Sequence, residues 1–281
     1  MSDMKTRIIT SIIAICVFLP VLYFSDTMFF SFAMAVIAVT SVYEMMRCMG
    51  IKKLHITIPS CLFAAAFPFL VRYVKDIKAF ALIAFICGGL YIMYLFTLAV
   101  LSHGKFHFTE AASLFTMSLY IIGALTAIVY IRDFGEYGGY IYFLVFIGAW
   151  VTDTCAYFTG MLIGKHKLIP DVSPKKTIEG SVGGIVFCSA SFVVFGIITD
   201  AFFGTSANLI FLAIGGVIIS VISQIGDLVM SLVKRHYGIK DYGKIFPGHG
   251  GMLDRFDSIL AVAIGVASMC MFTSLTGINI L

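Results

Sequence analysis

The sequence predicts an all-α polytopic integral membrane protein, and three observations carry that reading. Apolar runs of about 20 residues, the length a helix needs to cross a bilayer, recur from one end of the chain to the other. Only 12% of its 281 residues are charged and the mean hydropathy is +1.02, whereas a soluble domain carries about 25% charge. The runs also lack the alternation of a barrel strand, and backbone amides in lipid must pair within their own segment, so they read as helices.

Nine spans follow in order, at about 8–24, 29–46, 56–73, 79–102, 111–131, 139–163, 181–203, 209–231 and 259–280. The first is preceded by Lys5 and Arg7, as a secretory leader would be. It is longer than a leader core and no A-x-A site follows, so a retained helix is expected. Spans two to five are joined by short loops in which Lys52, Lys53, His103 and His107 read as interfacial anchors.

The sixth span is different. Asp153 and Tyr157 lie one turn apart on a face that continues to Gly160 and Gly164, a small-residue spacing that permits close helix approach. Asp153 is either a paired structural carboxylate or a functional one. The eighth span carries Ser220, Ser223, Gln224, Asp227 and Ser231 on one helical face. Serines and Gln224 suit a polar seam between helices. A carboxylate within a span usually faces a bundle interior or an aqueous cavity, so Asp227 makes the stripe a cavity lining.

Basic residues set the orientation. With nine spans, 15 of the 19 Lys and Arg fall on the side of the N-terminus and the even-numbered loops, as do all six His. The positive-inside rule assigns that side to the cytoplasm. The seven cysteines form no C-x-x-C pair and no zinc spacing, and read as thiols buried in spans. Without an internal repeat or low-complexity tract, one transmembrane domain is expected over 1–281. Its N-terminal spans occupy 1–138 and a catalytic half 139–281, with cytoplasmic loops 164–180 and 232–258.

Those two loops are too rich for hairpin connectors. The first reads GKHKLIPDVSPKKTIEG. The second supplies cations at Lys234, Arg235, Lys240 and Arg255, and carboxylates at Asp241, Asp254 and Asp257. Gly248, Gly250 and Gly251 around His249 would let backbone N–H groups approach an anion. Carboxylates beside phosphates are how proteins hold Mg²⁺.

The run Ser231-x-x-Lys234-Arg235, then Lys240-Asp241-x-Gly243, then Pro247-Gly248-His249-Gly250-Gly251-x-x-Asp254-Arg255-x-Asp257-Ser258 resembles the phosphatidate cytidylyltransferase (CDP-diacylglycerol synthase) family. Gly226-Asp227, Asp153, Ser173-Pro174-Lys175-Lys176-Thr177 and Glu179-Gly180 match the same family. The resemblance covers 153–258 and implies a Mg²⁺-dependent enzyme with a second cation close by. It also implies a homodimer in the cell membrane, with CTP arriving from the cytoplasm and phosphatidate from the bilayer. No nucleic acid partner is expected.

In that family Asp227 and Asp254 would hold the metals, with Asp257 or Asp153 as further ligands. Lys234, Arg235 and Lys240 would bind triphosphate oxygens and Arg255 would neutralise a phosphate. Lys175 and Lys176, flanked by Ser173 and Thr177, would close over CTP or meet the lipid phosphate. Ser231, Asp241, Gly248, Gly250 and Gly251 would complete the substrate site. His249 would bind a phosphate, protonate departing pyrophosphate, or brace the Gly-rich turn. A transporter would need matching broken helices in two halves, which the sequence lacks. A CTP-dependent lipid kinase would use similar electrostatics but release CDP.

Overall fold

A computed structural model of the chain describes residues 2–281; the side chains of 2–8 and 11 lie outside the description, and with them the flanking charges expected at Lys5 and Arg7. Among the described residues, eight helices are long and apolar enough to cross a membrane. The first expected span falls on α1 (Ser2–Tyr23), of which Ile12–Tyr23 is a shorter apolar stretch. The chain divides into two compact units, 1–129 with 239–255, and 130–238 with 256–281.

The first unit holds α1, α2 (Met28–Cys48), α3 (Leu54–Tyr73), α4 (Ile77–Leu101) and most of α5 (Phe108–Arg132). Thr27 caps α2 by accepting from Phe29 N. The buried face of α2 runs Phe30, Met34, Ala38, Val42 and Met45, the spacing of a helical stripe. Arg72, in the last turn of α3, donates to the carbonyls of Ser25 and Thr27 and so closes the α1–α2 turn. The α3–α4 contact is tied by Tyr91, whose hydroxyl donates to Ser60 Oγ (2.8 Å) and whose ring stacks on Phe63.

The second unit contains α6 (Gly138–Ile141), α7 (Phe143–Ile163), α8 (Ile178–Phe203), α9 (Leu209–His236) and α10 (Leu253–Thr276) from residue 256 onward. Helices α7, α8 and α9 pack through small residues. A Cβ on Gly148 would strike Ile219, and one on Gly216 would strike the backbone of Ser189. Such close approach is how helices associate where lipid offers no hydrophobic drive. Between α7 and α8 the loop expected at 164–180 is an antiparallel hairpin, β1 (Lys167–Ile169) and β2 (Ser173–Thr177). Glu179 pins it, accepting from the backbone N–H of Lys165 and His166 and pairing with His166 Nδ1 at 2.6 Å.

Two of the boundaries that differ from the expected spans bear on the site. Helix α9 continues to His236, so Lys234 and Arg235 stand on its last turn. Helix α10 begins at Leu253, placing Asp254, Arg255, Asp257 and Ser258 on a helix rather than in a loop. Charged residues end a hydropathy window, but they favour helix ends by opposing the macrodipole: Asp254 sits in a first turn, Lys234 and Arg235 in a last turn.

Candidate active site

The second unit holds an open cavity of about 350 Å³ between α7, the hairpin, α8 and α9. That volume lies at the low end of the range for small-molecule sites. Its polar lining includes Asp153, Ser173, Lys175, Lys176, Gln224 and Asp227; Tyr157, Met161 and Leu168 supply an apolar portion. The polar faces expected on the sixth and eighth spans therefore meet at one cavity, and the hairpin adds the lysines.

Its electrostatics follow from carboxylates held near ammonium groups. Lys176 Nζ is ion-paired to Asp227 Oδ2. Lys234 Nζ lies 3.9 Å from Asp257 Oδ2, with both side chains largely buried. Asp153 accepts from Ser258 Oγ at 2.8 Å. Asp227 is close enough to repel both Asp153 and Asp257. Three acids gathered inside a membrane helix bundle are favoured as carboxylates by cations among them, and Lys176 and Lys234 provide those here.

The all-oxygen donor set of Asp153, Asp227 and Asp257 has the hardness Mg²⁺ prefers. As the side chains stand, no three metal-ligating groups among the described residues converge at coordination distance. Lys176 instead occupies Asp227 as an internal cation. The donor chemistry fits Mg²⁺.

Not every predicted residue faces the cavity through its functional atoms. Thr177 is the N-cap of α8: its hydroxyl accepts from Gly180 N at 3.1 Å. Gly160 and Gly180 make room for it, since a Cβ on either would lie 2.7 and 2.9 Å from Thr177 Oγ1. The stripe on α9 is divided. Ser220 accepts from Thr152 Oγ1 at 3.0 Å in a buried seam, while Gln224 and Asp227 line the cavity. Ser231 is half-buried one turn beyond Asp227, and Arg235 is exposed.

The remaining residues belong to the first unit, in the loop 239–255. Asp254 Oδ2 accepts from Tyr242 N (2.8 Å) and Gly251 N (3.0 Å), drawing the loop onto the first turn of α10. Gly248 and Gly250 have φ of 77° and 89°, so they are glycines because the turn needs left-handed backbone. Phe246 N donates to Gly250 O and closes that turn, and His249 Nδ1 meets Thr10 Oγ1 at 2.8 Å. Lys240, Asp241 and Arg255 are exposed.

Sequence reasoning passed over Glu44. It is 3% exposed on α2, and its carboxylate accepts from Met252 N (3.0 Å) and Leu253 N (2.8 Å). The signal was present: it is the only Asp, Glu, Lys, Arg or His between Phe29 and Met46, in a mostly apolar span.

Comparison with known proteins shows the family of the chain. Residues 5–273 match the model of the cytidylyltransferase family. A phosphatidate cytidylyltransferase of Staphylococcus haemolyticus is 38% identical over 267 residues, covering 92% of this chain and 96% of the relative. Those of Staphylococcus saprophyticus and Staphylococcus aureus are 39% and 36% identical, with the same coverage of both chains. A polytopic helical protein with a carboxylate- and lysine-lined cavity, matched at this length, belongs to the cytidylyltransferase family.

Proposed function

We propose that this protein transfers the cytidylyl group of CTP to phosphatidate, forming CDP-diacylglycerol and pyrophosphate. The observation that carries the reading is the cavity, which pairs Lys175, Lys176, Asp153 and Asp227 with an apolar portion at Tyr157, Met161 and Leu168. One ligand with both phosphate and acyl character suits such a lining. The names of the relatives supply the substrate pair.

The chemistry demands little covalent help. A phosphate monoester carries about −1.5 to −2 charge at neutral pH, so the attacking oxygen is already ionised. It forms a bond to the α-phosphorus of CTP as the bond to the bridging oxygen breaks, and pyrophosphate leaves with that electron pair. The obstacle is bringing two polyanions together in line. Lys175 and Lys176 would offset that repulsion from β2. Lys234, Arg235 and Lys240 would take triphosphate oxygens, and Arg255 a further phosphate.

Asp153, Asp227 and Asp257 would hold Mg²⁺, with Asp254 and a second cation carried over from the family resemblance. Mg²⁺, when bound, supplies positive charge to phosphate oxygens. We further propose a homodimer in the cell membrane with the catalytic loops on the cytoplasmic side. A topology reporter placed after Gly248 should read cytoplasmic and one after Thr205 external; the same side for both would break the orientation.

The decisive assay uses detergent-solubilised protein with Mg²⁺, phosphatidate and CTP labelled at the α-phosphorus. Label is expected in lipid, with one pyrophosphate released per CDP-lipid. Label remaining in soluble CDP would point to kinase chemistry and overturn the reading.

A further inference from the structure

Glu44 sits one turn from the end of α2, at 3% exposure, where a carboxylate must find donors or neutralise. Its donors are the N–H groups of Met252 and Leu253, at the start of α10. A helix's first N–H groups lack intrahelical partners, so a carboxylate there satisfies them and opposes the helix dipole.

The loop is shaped around this carboxylate. A Cβ on Gly243 or Gly251 would lie under 3.0 Å from Glu44 carboxylate oxygen, and neither glycine has the positive φ that would otherwise demand one. The next link is Asp254, in the first turn of the helix that Glu44 caps, whose Oδ2 accepts from Tyr242 N and Gly251 N. Two carboxylates thus fix four backbone N–H groups at both ends of the segment 242–253. Lys240 lies two residues outside it.

We propose that Glu44 is a positioning residue for the cytidylyl transfer: from within α2 it holds the loop 239–255 in the shape that presents Lys240 to CTP and orients Asp254. The inference rests on the proposed reaction. It assigns a role to a residue outside the catalytic half expected from the sequence.

Glu44→Gln keeps the size of the side chain but turns one acceptor oxygen into a donor facing another donor. The variant should raise KM for CTP by about tenfold, the scale of a lost hydrogen bond to a charged group, and leave KM for phosphatidate within about twofold. Glu44→Asp keeps both oxygens and should recover part of the loss. In unliganded protein, tryptic cleavage after the exposed Lys240 and Lys244 should quicken in Glu44→Gln at an unchanged melting temperature. A merely structural role would reduce the active fraction and move neither KM. Should Glu44→Gln not survive purification, Gly243→Ala presses on the same carboxylate from the loop side and is read for the same quantities. An unchanged KM for CTP, or unchanged cleavage of the loop, overturns the proposal. Absence of CDP-lipid product from the parent chain would sink the reaction instead, since cleavage is scored without substrates.

Discussion

In the second unit the carboxylates of Asp153, Asp227 and Asp257 repel one another and face the side-chain ammonium groups of Lys176 and Lys234. In the first unit Glu44 and Asp254 accept from backbone N–H groups at Met252, Leu253, Tyr242 and Gly251. Both arrangements stabilise carboxylates away from bulk water, by different means. A backbone donor cannot leave, so the first arrangement fixes the shape of a loop. A lysine can exchange its carboxylate for a phosphate, and the carboxylate can exchange its lysine for a metal. The second arrangement is therefore suited to binding charged ligands and the first to holding structure.

That contrast can be broken in three places. The largest effect is expected at Asp254, which braces the loop and is also proposed as a metal ligand. Asp254→Asn should lower turnover by about 10²–10³, the scale of a lost electrostatic contribution to the transition state, because the carboxylate would hold the cation that supplies it, and should also quicken tryptic cleavage of the loop. Slow turnover with parental cleavage would move Asp254 wholly into the chemical role.

A smaller effect belongs to Lys240, exposed in the aqueous loop. Lys240→Ala should weaken apparent CTP affinity about ten- to hundredfold and phosphatidate affinity far less, in kinetics with each substrate varied in turn. A selective effect on phosphatidate would reverse the assignment of the two anion sites.

The smallest is a control on the seam beside the cavity. Thr152 is fully buried and donates to Ser220 Oγ. Interhelical hydrogen bonds in membranes average about 0.6 kcal/mol, so Thr152→Val should lower the melting temperature slightly and leave turnover within about twofold. A large loss of turnover would draw the seam into the active site.

Much of this was legible because it is periodic. The face carrying Gln224 and Asp227 follows from helical spacing, and Asp153 with Tyr157 from one turn of another helix; the structure brings both to one cavity. The hairpin was not legible. Its strands are three and five residues long, and Ser-Pro-Lys-Lys-Thr has neither alternation nor an apolar run to signal a strand. The start of α10 was missed because charges at Asp254, Arg255 and Asp257 ended the hydropathy window at residue 259. The helix starts earlier because its capping group lies about 200 residues upstream, at Glu44. The glycines around His249 suggested an anion cradle; at Gly248 and Gly250 the positive φ also has a local cause, the closed turn.

In the proposed reaction the chemistry takes place in the cavity of the second unit, where Asp227 is paired with Lys176. Asp227→Asn keeps the side chain's size and removes the charge that faces Lys176 and repels Asp153 and Asp257. With melting temperature and detergent elution held at parental values, CDP-lipid formation at saturating CTP and phosphatidate should fall by about 10²–10³. Turnover within a few-fold of the parent would remove Asp227 from the reaction and contradict the account.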